Sequence, residues 1–524
     1  MAFIGKLLRK GFRVNESLEQ EFSHNADLQK AELKKLLIQA RETEFGKYYN
    51  FQEILRSFKS KTPKEFYRQY TRQIPIFDYN SIYDNWWHLL REGQKDITWP
   101  GKVKYFALSS GTSGAPSKNI PVTKEMLKAI QKTSIRQILS LQNFKVPPKL
   151  FMKGILMLGG STHLNRNGSY FEGDLSGITT SQIPFWFQHH YKPGRKISKT
   201  RDWDNKLEEI AGKADKWDIG YVVGVPAWIQ ILMEKIIDKY QLNTIHDIWP
   251  DLSVYVHGGV SFEPYKKGFE KLLAKPLTYI ETYLASEGFI AFQARPERGM
   301  KMVLNNGIFF EFVPFTEENF TQEGEIKPNA EAIMIDEVEE GKEYALLLST
   351  CAGAWRYMIG DTIRFLNLEN AELCITGRTK HFLSLCGEHL SVDNMNKAIK
   401  ILENDLNIDI KEFTVAGQPY QTLFSHHWFL GTDDNIEPDI VKQKLDSFLK
   451  ELNDDYKVER QAALKEIFVN IIPASAFYKY MEMLGKVGAQ NKFPRVLKKK
   501  QLDDWLKFLK DQGIDFLEKI HQNS

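Results

Sequence analysis

A stretch of ten residues, 109–118, combines the residue types that bind a chain of phosphates. Gly111 and Gly114 allow backbone conformations that direct successive N–H groups at one anion. Further donors come from four hydroxyl side chains and one ammonium group: Ser109, Ser110, Thr112, Ser113 and Lys118. Lys118 follows Gly114 by four residues, whereas the lysine of a P-loop directly follows a glycine, so the spacing disfavours Walker-type chemistry. The stretch therefore predicts either a triphosphate site or a solvent-exposed Gly/Ser loop.

The elements that must position this stretch are predicted from apolar periodicity. A helix at 122–141, with Thr123 as its N-cap, would place a helix dipole behind the loop, where it favours an anion. Buried strands are predicted at 154–158, 219–223, 253–257 and 277–281. Helices at 227–240 and 264–273 supply the crossovers that parallel strands require. The sequence thus predicts an α/β core whose ligands gather beyond the strand ends. The loops at those ends are 159–161, 224–226, 257–259 and 283–287.

The rest of the chain predicts two further units. Short β segments at 307–313, 332–337 and 343–349 predict an antiparallel sheet or small β-barrel appended to the core. Beyond Lys380 the pattern is typical of a compact α+β unit. Its elements are helices at 392–403, 438–452 and 498–512 and strands at 410–416, 422–430 and 467–472. We therefore predict a large domain, 1–379, and a small, mobile α+β lid domain, 380–524.

Composition and charge exclude several classes of partner. The chain has 524 residues, 42% of them hydrophobic, and its 70 basic and 67 acidic residues give a net charge of +3. This balance predicts a globular protein without a nucleic-acid partner, which we expect to be a monomer or weak dimer. The longest apolar run, 221–233, is shorter than the ~20 residues of a membrane span. Residues 1–14 predict an amphipathic helix that docks on the body of the protein.

The cysteines and most histidines predict structural roles. Cys351, Cys374 and Cys386 form no CxxC pair, which indicates a reducing compartment, the cytoplasm, and gives no zinc signature. Adjacent histidines at 189–190 and 426–427 point to opposite faces of a strand and cannot both bind one metal ion. His257, at the end of a predicted strand, is instead a candidate for the cleft.

Eight motifs occur along the chain in the order shown by a known family. They are Thr43-Glu44-Phe45-Gly46, 109–118, Val225-Pro226-Ala227-Trp228, His257-Gly258-Gly259, 283–288, 357–361, Gly387-Glu388 and Lys492-Phe493-Pro494-Arg495. The chain resembles the adenylate-forming superfamily and, within it, the Gretchen Hagen acyl acid amido synthetases, over nearly its whole length. The resemblance implies that a carboxylate attacks the α-phosphate of ATP and releases pyrophosphate. An amine, usually an amino acid, then captures the acyl-adenylate.

The resemblance also assigns roles around the nucleotide. The 109–118 loop would hold the β and γ phosphates, and Gly258 and Gly259 would line the ATP site. Tyr283 would lie on adenine, Ser286 at the α-phosphate and Glu287 at Mg²⁺. Leu284 departs from the glycine that many superfamily members have after the tyrosine.

Further roles fall on the ribose, the acyl group and the lid. Asp361 would accept hydrogen bonds from the ribose hydroxyls, with Arg378 beside the ribose or phosphate. Lys492 would reach into the cleft from the small domain, with Lys486 as a nearby competitor, and Lys380 would sit at a hinge. An apolar acyl pocket is predicted at Val225, Trp228 and His257, with Phe185 and Trp186 nearby.

Three functions remain open from the sequence. The first is an ATP- and Mg²⁺-dependent amido synthetase that joins a small carboxylic acid to an amine. The second is an acyl-CoA ligase, which shares the adenylation step. The third is a nucleotide-binding protein without turnover, against which the presence of Lys118, Glu287, Asp361 and Lys492 argues.

Overall fold

The computed structural model describes residues 24–60, 62, 64–109, 118–183, 188–259, 262–321, 324–380, 382–484 and 493–516. Several sequence predictions lie outside these residues. They concern the helix at 1–14, the loop residues 110–117 with Ser110, Gly111, Thr112, Ser113 and Gly114, the aromatic residues Phe185 and Trp186, and both Lys486 and Lys492.

The described residues form seventeen α-helices and twenty strands. The helices are α1 Asn25–Ala40, α2 Glu44–Tyr48, α3 Phe51–Ser57, α4 Glu65–Gln73, α5 Tyr79–Ile82, α6 His88–Arg91, α7 Lys124–Ser140, α8 Leu175–Ser181, α9 Arg195–Ser198, α10 Trp203–Ala211, α11 Pro226–Tyr240, α12 Glu263–Glu270, α13 Val392–Leu406, α14 Pro438–Leu452, α15 Asp454–Gln461, α16 Ala474–Met483 and α17 Lys499–Asp511. The strands are β1 Tyr105–Ser109, β2 Lys118–Val122, β3 Gly154–Leu158, β4 Asn165–Asn167, β5 Tyr170–Gly173, β6 Tyr191–Lys192, β7 Ile219–Gly224, β8 Val254–Gly258, β9 Thr278–Ala285, β10 Gly288–Gln293, β11 Met300–Met302, β12 Ile308–Pro314, β13 Glu343–Thr350, β14 Tyr357–Asn367, β15 Glu372–Arg378, β16 Phe382–Leu383, β17 Leu390–Ser391, β18 Glu412–Tyr420, β19 Leu423–Gly431 and β20 Leu464–Ile472.

One large sheet organises the N-terminal two thirds of the chain. Within the described residues it has eleven strands in the order β12-β13-β14-β15-β11-β10-β9-β8-β7-β3-β6. The four predicted buried strands are β3, β7, β8 and β9, and they pair in parallel as expected. Their side chains alternate between two hydrophobic clusters: Val222 and Tyr255 face the side of α11, and Tyr221 and Val254 face the other side. The α/β prediction is confirmed because both faces of these strands are covered by apolar side chains.

The antiparallel strands continue this sheet. At the β9–β10 turn the chain reverses, and β10, β11, β15, β14, β13 and β12 pair antiparallel to one another. Of the two predicted alternatives, the described residues therefore show an appended antiparallel sheet and not a separate small barrel. The predicted strand at 332–337 is wrong, since only Ile333 bridges to Phe312. There the Glu337 carboxylate accepts the Met334 N–H at 3.2 Å and closes a local turn instead.

The two ends of the predicted phosphate loop belong to a smaller sheet of order β2-β1-β5-β4. Ser109 and Lys118 pair with each other at the end of the antiparallel strands β1 and β2. The loop connects these two residues. Helix α7 follows β2 directly, and Thr123 Oγ1 accepts the Met126 N–H at 3.1 Å. The predicted N-cap is confirmed, so the loop leads through one strand into a helix start.

The C-terminal residues from 382 onward form the unit that we call the small domain. Its sheet, β18-β19-β20, carries α13, α14 and α15 on one face and α16 and α17 on the other. The predicted helices and strands are all present, and the helix at 438–452 has the predicted bounds. Helix α15 was missed because its sequence, DDYKVERQ, carries no apolar stripe. In the described residues, no helix is both long and apolar enough to cross a membrane.

Candidate active site

Five predicted nucleotide residues converge where the small β1–β2 sheet meets the large one. Asp361 on β14 and Arg378 on β15 are paired in register, and the Arg378 Nε lies 2.8 Å from Asp361 Oδ1. The hydroxyl of Tyr283 on β9 donates to Asp361 Oδ2 at 2.5 Å. Glu287, in the β9–β10 turn, interacts electrostatically with Lys118, Asp361 and Arg378. Residues from three separate parts of the sequence thus share one charged cluster.

Burial shifts the pKa of two of these groups. Burial lowers the pKa of Lys118 to about 8, with Glu287 opposing the shift and Arg378 and Lys380 adding to it. The pKa of Glu287 is raised from 4.5, again chiefly by burial, while Lys118 favours the carboxylate. Two neighbouring cations, Arg378 and Lys380, therefore repel the buried ammonium group of Lys118. An incoming polyanion would relieve that repulsion.

Tyr283 has a second role beyond the predicted contact with adenine. Its ring is only 5% exposed, and its hydroxyl orients the Asp361 carboxylate. Ser286 is half-buried and occupies the same two-residue turn as Glu287. The adenine, ribose and α-phosphate contacts of these residues stay predictions.

Glycine permits close approach at two points around the cluster. A Cβ at Gly258 would lie 2.3 Å from the Thr282 carbonyl oxygen, so β8 can pair with β9 up to the carboxyl end of β8 only with glycine there. At Gly324, which has φ +76°, a Cβ would lie 1.7 Å from the Thr379 carbonyl oxygen. The close approach of Gly324 to Thr379 packs the large domain against the predicted hinge. At this hinge Lys380 Nζ forms an ion pair with Glu325 at 3.3 Å.

The predicted acyl residues divide into two places. Val225 precedes α11, and its Cγ2 lies 3.7 Å from the point where a Gly259 Cβ would stand. His257 is buried against Phe262, with ring centroids 4.8 Å apart, and burial lowers its pKa to about 4, so it is neutral at pH 7. Trp228 instead packs on Trp203, with centroids 4.6 Å apart, and faces Glu459 of the small domain. In the structure Val225 therefore lies next to Gly259, whereas Trp228 lies at the contact between the two domains.

Sequence reasoning missed Lys206 on α10. Its Nζ donates to the carbonyl oxygens of Gly159 and Gly160 at 2.6 and 3.2 Å, just beyond the end of β3. Burial lowers its pKa to about 8, which Asp174 opposes. Lys206 lies beside Leu207 on the buried side of an amphipathic helix. A lysine at an apolar position was the signal that could have found it.

Other motif residues have structural roles. Thr43 Oγ1 accepts the Gly46 N–H at 3.0 Å and caps α2, and Phe45 stacks on Trp355, two residues before β14. His426 Nε2 contacts Glu388 Oε1 at 2.9 Å inside the small domain. In the portion that the structure describes, no group of three His, Cys, Asp or Glu side chains could hold a metal ion.

Three family models match the chain. They are the GH3 family N-terminal domain at residues 14–208, the GH3 family central domain at 301–376 and the GH3 family C-terminal domain at 393–501. The chain belongs to the GH3 family. The resemblance inferred from the motifs is thereby confirmed, and the matches extend over most of the sequence.

Named relatives of the GH3 family match parts of the chain. Jasmonoyl-L-amino acid synthetase JAR4 of Nicotiana attenuata is 26% identical over 273 residues, which are 48% of this chain and 45% of that protein. Indole-3-acetic acid-amido synthetase GH3.2 of Arabidopsis thaliana is 27% identical over 175 residues, 32% of this chain and 30% of that protein. The chain thus spans less than half the length of these relatives.

Solved structures share the fold over almost the whole chain. The acyl acid amido synthetase AtGH3.15, in complex with 2,4-DB, has a TM-score of 0.58 at 17% identity and covers 97% of this chain and 98% of its own. A 2-hydroxyisobutyryl-CoA ligase in its thioesterification state, with 2-HIB-AMP and CoA, has a TM-score of 0.55 at 12% identity and covers 92% of both chains. At these identities the likeness shows a shared fold.

Proposed function

We propose that this GH3 family member is an ATP-dependent acyl acid amido synthetase. It activates a small carboxylic acid as an acyl-adenylate and transfers the acyl group to an amine, in particular an amino acid. The observation that carries the proposal is the convergence of the cations of Lys118 and Arg378 around Glu287 and Asp361, with Lys380 near enough to Lys118 to affect its pKa. Such a site is complementary to a triphosphate and keeps one carboxylate for a hard metal ion.

In the first half-reaction, a carboxylate oxygen of the acid bonds to the α-phosphorus of ATP. The bond from that phosphorus to the bridging oxygen of pyrophosphate breaks. Negative charge on the phosphate oxygens grows in the transition state, so fixed cations stabilise it more than the ground state. Lys118 and Arg378 are the described cations for this role, and Lys492 is the one predicted from the small domain.

Glu287 fits a single magnesium ligand. It is a buried carboxylate in a tight turn, and Mg²⁺ in nucleotide sites takes one or two carboxylates and completes its shell with water and phosphate oxygens. Bound there, the ion would neutralise charge on the pyrophosphate leaving group. The Tyr283 hydroxyl and Arg378 hold the neighbouring Asp361 in place, so that its carboxylate is oriented before the ribose arrives.

In the second half-reaction, the amine nitrogen bonds to the acyl carbon. The bond from that carbon to the phosphate oxygen breaks, AMP leaves, and the surplus proton of the amine passes to solvent. Val225 and the neutral His257 give the acyl side of the cleft little charge, which suits an apolar acid.

We propose the boundary at 379/380 for the two domains, since β15 ends at Arg378 and β16 begins at Phe382.

Pyrophosphate exchange with a panel of small carboxylic acids tests the first step. Acid-dependent exchange is expected, followed by AMP release that depends on an added amino acid. AMP release with coenzyme A alone would identify an acyl-CoA ligase. ATP binding without exchange across the panel would identify a nucleotide-binding protein without turnover.

Cell fractionation should place the activity in the cytoplasm. This expectation agrees with the three unpaired cysteines, which all lie in the described chain.

A further inference from the structure

A cavity lies beside α4, where β14 begins. Its volume is about 740 Å³, within the range of about 300–1,000 Å³ that is typical of sites for small organic molecules. One wall is formed by α4 and the residues after it, and the other by the loop between β12 and β13. We call this space the α4 cavity. Arg356, which lines it, precedes Asp361 by five residues, or about 16 Å of strand at about 3.3 Å per residue, so the α4 cavity is separate from the predicted nucleotide site.

Arg356 is a buried cation with one nitrogen left for a ligand. The residue is 5% exposed, and its Nε donates to both oxygens of Glu311 at 3.0 and 3.2 Å. Its Nη1 donates to the carbonyl oxygens of Thr71 and Ile74 at 3.3 and 2.7 Å. Its Nη2 donates to no residue that the structure describes, although Arg356 lines the cavity. A poorly hydrated N–H group without an acceptor costs free energy, so an acceptor oxygen in the cavity would be stabilised there.

The neighbouring charges favour a ligand with a single negative charge. Among the described residues, four cations and two carboxylates line the cavity: Lys64, Arg68, Lys327, Arg356, Glu331 and Glu337. Lys64 Nζ already lies 2.9 Å from Asp336 and 3.1 Å from Glu337, and Glu311 balances Arg356. Arg68 is exposed, and its ion pair with Glu65 is 4.0 Å long. A polyphosphate would be repelled by these carboxylates, whereas Arg356 Nη2 and Arg68 can hold one carboxylate group.

The walls of the cavity suit an apolar molecule. Apolar residues line both sides of it: Pro75 and Ile76 after α4, and Ile326, Pro328 and Ile333 in the facing loop. Burial of an apolar ligand body against them would be favourable, since it removes apolar surface from water. The α4 cavity thus combines an apolar lining with one buried donor that can recognise an anion, which is the usual composition of a small-molecule site.

We propose that the α4 cavity binds a small organic monocarboxylate. The carboxylate accepts a hydrogen bond from Arg356 Nη2, and the apolar body lies between α4 and the facing loop. Arg68, one turn before Thr71 on α4, adds a weaker attraction from the exposed edge. This site is distinct from the predicted acyl pocket at Val225 and His257, and the inference does not depend on the proposed function.

A fluorine label beside the cavity tests the proposal without an activity assay. Asn329, exposed and next to Pro328, is changed to cysteine and coupled to a trifluoromethyl group. The full-length protein is then titrated without nucleotide, and the protein labelled without the introduced cysteine gives the background. Phenylacetate should cause a saturable change in the fluorine chemical shift. Phenylacetamide, which has the same shape and no charge, should bind at least about tenfold more weakly, and inorganic phosphate should give no saturable change.

Variants of the labelled protein assign the contact. Arg356→Lys keeps a cation beside Glu311 and removes Nη2, so it should weaken phenylacetate binding about tenfold or more. Thr71→Phe retains Arg356 and fills part of the cavity, so it should abolish the saturable change, and it decides the matter if Arg356→Lys does not fold. Arg68→Gln should weaken binding about two- to threefold. Arg72→Gln, at an exposed position of the same helix, is the matched control and should bind as the wild type does.

Four results would each overturn the proposal. The first is no saturable change with phenylacetate, which would leave Arg356 Nη2 to water. The second is equal affinity for the acid and the amide, and the third is tighter binding of inorganic phosphate than of phenylacetate. The fourth is wild-type affinity in the folded Arg356→Lys or Thr71→Phe protein. Pyrophosphate exchange is measured separately and decides the proposed function, so the two proposals can fail independently.

Discussion

Glu388→Gln should destabilise the small domain, because the Glu388 carboxylate is the shared acceptor of a buried turn. Its Oε1 accepts the Leu385 N–H at 2.9 Å and contacts His426 Nε2 at 2.9 Å, and its Oε2 accepts the Cys386 N–H at 2.9 Å. Burial by itself would raise the pKa of Glu388, but these donors outweigh it and lower the pKa to about 2. A glutamine has one acceptor oxygen and turns an NH₂ group toward the remaining donors.

The magnitude follows from the pKa shift. A fall from the ordinary value of 4.5 to about 2 corresponds to about 3 kcal/mol of folding free energy for this fully buried group. A carboxyl group with a depressed folded-state pKa stabilises the protein above its unfolded pKa and loses that effect as the pH falls toward 2. Glu388→Gln should therefore lower the free energy of unfolding by about 3 kcal/mol at pH 7. The difference from wild type should shrink by roughly 2 kcal/mol at pH 3.

Urea unfolding between pH 7 and pH 3 measures this difference. Tryptophan fluorescence is a suitable signal, because Trp428 is buried in the sheet that carries His426. Glu451→Gln, at an exposed position of α14, is the control and should have little effect at any pH. A difference that stays constant from pH 7 to pH 3 would refute the reasoning, since the carboxylate would then not be the source of the stability.

Four further predictions concern the predicted nucleotide site and the buried Lys206. Glu287→Gln should lower Mg²⁺-dependent pyrophosphate exchange at least about 100-fold with an unchanged circular dichroism spectrum, whereas Glu331→Gln, at an exposed position, should not. Asp361→Ala should weaken ATP binding by about 1.5–3 kcal/mol, because two donors lose their acceptor, and an unchanged affinity by calorimetry would reject the role. Lys492→Ala should slow adenylate formation by about 10²–10³-fold and spare capture of supplied acyl-adenylate, a split that half-reaction assays measure. The folded-state pKa of Lys206, about 8, lies below the ordinary 10.5. The unfolded chain therefore binds more protons at pH 8–10, and wild type should gain up to about 3 kcal/mol of stability over Lys206→Met between pH 7 and pH 10 in urea unfolding.

Much of the fold could be predicted from the sequence, because the signals are local. Apolar runs predicted β3, β7, β8 and β9, and Thr123 predicted the start of α7. Both kinds of signal depend on residues within one turn or one strand of each other. The prediction of a strand at 332–337 was wrong because the Glu337 side chain accepts the Met334 N–H, which a strand would donate to a neighbouring strand.

The nucleotide roles of these residues stay predictions, and they could be made because the motifs that carry the residues are contiguous. The order of Lys118, Glu287, Asp361 and Arg378 along the chain predicted that they act together. Their hydrogen-bond partners could not be predicted in the same way. Tyr283 and Asp361 are 78 residues apart, and their contact depends on the order of strands between β9 and β14.

The sequence by itself determined the α/β class, the order of the elements and the residue types of the predicted phosphate site. Only the tertiary structure decided that Trp228 faces Glu459, that Lys206 binds the carbonyl groups beyond β3, and that Gln230 reaches the small domain. The physical reason is the range of the interactions. Periodicity and capping are fixed within a few residues, whereas a buried polar contact exists only after two distant surfaces have packed together and excluded water.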